Sequence, residues 1–113
     1  MTSPKPGRPP PLWFVRLALI GLDPDGLYTA AEIALLAERA NQTVRLVLHA
    51  RLGKPEMIVI KGSLNLHAAW WGRDLIAVGN SRLEETKSES RKGILPAELK
   101  KRFWDFHGSL KRG

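Results

Sequence analysis

The sequence predicts an α+β fold: three helices, then a small antiparallel sheet, then an added C-terminal helix. Three observations carry this. Apolar residues recur at helical spacing in three stretches between Leu12 and Leu52, separated by turn and cap signals. A β-branched run, Glu56-Met-Ile-Val-Ile-Lys61, follows between Pro55 and Gly62. Leu99, Phe103, Phe106 and Leu110 then recur at spacings of four, three and four, which places them on one face of a helix.

The first element is Leu12-Trp-Phe-Val-Arg-Leu-Ala-Leu-Ile-Gly-Leu22, a helix whose Trp13, Phe14, Leu17 and Ile20 face inward. Asp23-Pro24-Asp25-Gly26 is a turn signal that ends it. Thr29-x-x-Glu32 has capping-box spacing and starts the second helix, with Ile33, Leu36, Ala37 and Ala40 as its inner stripe. Asn41 is the expected N-cap of the third helix, and Gly53 followed by Pro55 its stop. On that helix Val44, Val47, Leu48 and Leu52 share one face, and Gln42, Arg45 and His49 the other.

After the strand at 56–61, two alternating sets, Leu64/Leu66/Ala68/Trp70 and Asn65/His67/Ala69/Trp71, predict a second strand. Gly72-Arg73-Asp74 is expected to turn it into a third, Leu75-Ile-Ala-Val78, making a hairpin with a basic tip. The alternative for Ser63–Trp71 is a short helix capped by Ser63. Residues 81–93 are polar and charge-mixed, either a solvated helix or a flexible connector before the amphipathic helix at 94–113. The proline-rich stretch 1–11 reads as a flexible arm.

Composition narrows the function classes. The chain has no cysteine, which excludes disulfides and thiolate metal sites. No apolar run approaches the roughly 20 residues that span a bilayer. The N-terminal segment MTSPKPGRPPP lacks the apolar stretch of a signal peptide, so a cytoplasmic protein without membrane partners is expected. The net charge of +7 is unevenly spread. Residues 1–38 carry three basic and four acidic side chains, residues 39–82 seven and two, and residues 83–113 eight and five. A basic middle third attracts phosphate backbones.

The order helix, helix, helix, strand, hairpin, with a basic tip and an exposed Gln42/Arg45/His49 face, resembles the winged helix-turn-helix superfamily over Leu12 to about residue 80. The likeness lies in element order and charge rather than in a diagnostic motif. It implies that the third helix enters the major groove of duplex DNA, with Gln42, Thr43, Arg45 and His49 facing bases or phosphates. Arg39 and Lys54 would then flank the backbone, and Arg73 would occupy the wing. Arginine can donate two bonds to a guanine edge and glutamine can pair with adenine, which suits the task. The expectation is a small non-enzymatic DNA-binding protein without cofactor or metal, a transcriptional regulator or an accessory factor of a mobile element.

Two further readings stand beside it. One is a non-catalytic adaptor of a nucleoprotein complex, docking on protein or RNA. The other is a small ribonuclease-type toxin using His67, Arg73 and Lys61 around one phosphate. His49, His67 and His107 show no metal-ligand spacing. Trp70 and Trp71, adjacent on a strand, must face opposite sides, one inward and one partly exposed. The apolar stripe Leu99, Phe103, Phe106 and Leu110 either covers the core or forms a seam with a second copy or a protein partner.

Overall fold

A computed structural model of the chain describes residues 10–86 and 94–110. They form five helices and a three-stranded antiparallel sheet, an α+β arrangement. The elements are α1 (Phe14–Leu19), β1 (Leu27–Thr29), α2 (Ala30–Ala37), α3 (Asn41–Leu52), β2 (Glu56–Val59), β3 (Leu66–Trp71), α4 (Gly72–Thr86) and α5 (Ala97–Ser109). The strand order is β1-β3-β2, so β3 is central. In β1, Leu27, Tyr28 and Thr29 lie opposite Trp71, Trp70 and Ala69. In β2, Glu56, Met57, Ile58 and Val59 lie opposite Ala69, Ala68, His67 and Leu66.

The first three helices follow the sequence periodicity, except that Ala40, expected on the inner stripe of α2, is exposed and lies beyond the end of that helix as the N-cap of α3. Trp13, Phe14, Leu17 and Ile20 are buried, and Gly26 N–H donates to Asp23 O (3.0 Å) to close the expected turn. The strand β1 lies in the short stretch between that turn and the Thr29 cap, and its side chains are β-formers. The sequence reading passed over it because three residues give no alternation to detect.

The hairpin prediction is corrected. Ser63–Trp71 contains a strand rather than a helix, but β3 pairs with β2 and not with Leu75–Val78. The segment from Gly72 onward is the 15-residue helix α4. Its first amides are capped by the Asp23–Gly26 turn: Gly72 N–H donates to Gly26 O (2.7 Å) and Arg73 N–H to Pro24 O (3.0 Å). A Cβ at Gly72 would lie 1.9 Å from Asp23 O, so glycine is required for this approach. Leu75 and Gly79, one helical turn apart, face inward, and a Cβ at Gly79 would come within 2.6 Å of Ala18 N on α1. The β-branched look of Leu75–Val78 was overridden by this tertiary contact. Helix α4 extends through Thr86, so the first part of the charged 81–93 segment is helical. Residues 87–93, the arm residues 1–9 and the tail 111–113 lie outside the described residues.

Helix α5 belongs to the same core. Leu99 and Phe103 are buried in one cluster with Phe14, Tyr28, Ile33 and Leu48. Trp104 Nε1 donates to Ile20 O (3.1 Å), and His107 Nδ1 is hydrogen-bonded to Glu32 Oε2. The rings of Tyr28 and Phe103 lie 6.2 Å apart, within the range of favourable aromatic pairs. Of the two roles open to the stripe, Leu99 and Phe103 take the covering one, while Phe106 and Leu110 are half-buried. Among the described residues no helix is long and apolar enough to cross a membrane.

Candidate nucleic-acid interface

Helices α2 and α3 form a compact corner. The start of α2 is a complete capping box: Thr29 Oγ1 accepts from Glu32 N–H (3.2 Å), and Thr29 N–H donates to Glu32 Oε1 (2.9 Å). Glu32 is fully buried, and its second carboxylate oxygen is the one held by His107. Three residues, 38–40, separate α2 from α3, and Glu38 adopts the left-handed conformation (φ 56°) that turns the chain. Arg16 fastens this corner from behind. Its Nη1 donates to Leu36 O (2.8 Å) and to Glu38 Oε1 (3.0 Å), and its Nε donates to Ile94 O (2.7 Å).

The third helix is capped one residue earlier than predicted, so that it begins at Asn41 itself. Ala40 is the N-cap, makes no side-chain bond, and Asn41 is the first helical residue. Val44 and Leu48 are fully buried, with Val47 and Leu52 packed beside them. Gly53 ends the helix at φ 85°, and its carbonyl accepts from Trp70 Nε1 (3.3 Å), which fixes that end to β3. Trp70 is buried and Trp71 half-buried, as alternation on a strand requires.

Gln42, Thr43, Arg45 and His49 are all exposed. Gln42, Arg45 and His49 line an open cavity of about 560 Å³ between α3, the start of α2 and the β2–β3 hairpin, with Met57, Leu66 and Trp70 on the hairpin side. The hairpin therefore stands beside the exposed side of α3. Its tip is Lys61–Asn65, where Gly62 (φ 90°) supplies the left-handed turn residue and Ser63 N–H donates to Ile60 O (3.0 Å).

Charge is one-sided here. From Arg39 to Arg73 the chain carries six basic residues and a single acid, Glu56. Arg45, Lys54 and Lys61 form no ion pair with another described residue. Arg39, also exposed, donates to the carbonyl of Glu38 (3.1 Å). A guanidinium or ammonium left unpaired in water is ready to exchange its counterion for a phosphate.

Arg73 is not part of this surface. It lies in the first turn of α4, 3.1 Å from Asp25 and 5.1 Å from the centre of the Trp71 ring, at the end of β3 opposite the hairpin tip. The sequence predicts Arg73 at the tip, with Gly72-Arg73-Asp74 as the turn; in the structure the tip cation is Lys61. The same geometry separates Arg73 from His67 and Lys61, and His67 Nε2 is engaged with Ser63 Oγ (2.9 Å). Among the described residues no group of three or more His, Asp or Glu side chains is arranged to hold a metal ion.

The sequence reading also missed an apolar component. Leu46, Met57, Val59, Leu64 and Leu66 are all at least half exposed. The signal was available: strand alternation puts Met57 and Val59 on one face, but a continuous β-branched run reads as wholly buried. No family model, curated protein or solved structure matches the chain.

Proposed function

We propose that the chain is a winged helix-turn-helix protein that binds duplex DNA, with α3 in the major groove and the β2–β3 hairpin as the wing. The element order from α1 to β3 and the strand order β1-β3-β2 support this reading, as do the three-residue turn between α2 and α3. The observation that carries it is the placement of Gln42, Arg45 and His49 on the exposed side of α3, beside a hairpin whose tip cation, like Arg45, has no ion-pair partner among the described residues. A helix of this diameter fits the major groove, where Arg45 and Gln42 can address base edges. Arg39, Lys54 and Lys61 neutralise phosphates and fix the register.

The test is a salt-titrated binding measurement on random duplex DNA, single-stranded DNA and structured RNA. Three phosphate contacts give a slope of log K against log salt of roughly −3. A duplex preference with such a slope is expected. Equal binding to all three nucleic acids, or no salt dependence, would sink the groove-reading role.

A second reading, a docking module for protein, draws on the exposed apolar side chains Leu46, Met57, Val59 and Leu66. It predicts weak duplex binding by the isolated protein, so the same titration separates the two.

A further inference from the structure

The tip of the β2–β3 hairpin ends in an apolar side chain. Leu64 is 103% exposed, more open to water than any other large apolar residue among those described. The local bonding holds it there. Ser63 N–H donates to Ile60 O (3.0 Å), and Ser63 Oγ receives Asn65 N–H (3.3 Å) while engaging His67 Nε2 (2.9 Å). The residues on either side of Leu64 are thus tied down, and the leucine projects away from the tie. Behind it, Val59 and Leu66 are directly opposite one another on the two strands, so they share a face, with Met57 two residues along on that same face. All three are half-exposed or more.

This is a strand face suited to the minor groove of DNA. The groove walls are deoxyribose rings, which are apolar, and the rims are phosphates. An apolar hairpin face matches the walls, and cations match the rims: Lys61 at the tip and Lys54 before β2 are both exposed and unpaired among the described residues. Proteins that enter the minor groove often press an apolar side chain between two base pairs, unstacking them and kinking the duplex by roughly 20–90°.

On the basis of the duplex-binding reading above, we infer that the hairpin is a wedge. Leu64 inserts at one base step of the minor groove adjoining the α3 site, and the complex is bent. Pyrimidine–purine steps are the easiest to open, so a site containing TA or CA at the wedge position is favoured over one without.

The probe is a duplex recovered from a random-sequence pool by the full chain, end-labelled for energy transfer and carrying 2-aminopurine at successive positions. The intact protein is expected to raise energy transfer and to enhance 2-aminopurine fluorescence at a single step. Leu64→Ser, at a fully exposed position where folding is not at stake, is expected to lose both signals in the complex formed at saturating protein. Lys61→Ala weakens binding and keeps the bend. A straight complex with the intact protein overturns the wedge while leaving duplex binding intact, as does a Leu64→Ser complex with an unchanged bend. Recovery of no duplex at all overturns the DNA reading itself, and with it the wedge; the apolar face then belongs to a protein partner.

Discussion

Arg45 and Lys61 are both exposed cations, and the proposed duplex-binding reading gives them different work. Arg45 lies one turn from His49 and three residues from Gln42, on a helix anchored by buried Val44 and Leu48 and at Gly53. Its backbone is therefore held in a defined place, from which the guanidinium can reach a base edge. Lys61 is a point charge beside the left-handed turn residue Gly62, suited to a phosphate. Arg45→Ala should cost about 1–3 kcal/mol in discrimination at one base pair and relax preference there. Lys61→Ala should weaken all duplexes alike and reduce the salt slope by about one. Competition assays across a set of single-base variants of a selected site separate the two outcomes. Equal loss on every sequence for Arg45→Ala would assign it to the phosphate backbone instead. Of these two residues the sequence alone identified Arg45, because the helical period around Val44 and Leu48 points it outward. Lys61 enters the sequence analysis only in the ribonuclease grouping with His67 and Arg73, because the spacing predicts the hairpin tip at Gly72–Asp74 rather than at Lys61–Asn65.

At the scale of elements, legibility followed local chemistry. Helices α1, α2 and α3 could be read because each has its own period and its own stop or start, such as the Thr29–Glu32 capping box. Helix α4 could not, because nothing local distinguishes Leu75-Ile-Ala-Val78 from a strand. Its identity is set by the Asp23–Gly26 carbonyls that cap it and by α1, on which Gly79 lies. That contact gives a sign-reversing prediction. In an isolated helix Gly→Ala stabilises by about 1 kcal/mol. Gly79→Ala should instead destabilise by about 1–3 kcal/mol, since the new methyl meets the backbone of Ala18 and Phe14, which cannot turn aside. Thermal denaturation reads this directly: a fall in midpoint is expected, and a rise would mean that α4 is not seated on α1 as described.

Across the whole molecule, the added C-terminal helix changes the meaning of the aromatic stripe. Phe103 is fully buried against this chain's own core, and Trp104 and His107 bond to α1's end and to α2. Phe103→Ala should therefore cost about 3–5 kcal/mol of stability. The loss should be the same at every protein concentration, whereas a seam between copies would make the unfolding midpoint of the intact protein rise with concentration. Neither outcome was decidable from spacing alone, since a helix that covers a core and one that pairs with a copy carry the same pattern. Arg16 adds a last consequence. One guanidinium ties the carbonyls of Leu36 and Ile94 and the carboxylate of Glu38, so the first helix, the corner before α3 and the segment leading into α5 move together. The aim of the exposed helix is thereby set at its back, by a residue that touches no partner. On the proposed duplex-binding reading, affinity at α3 would depend on that hidden strut as much as on the side chains that face the groove.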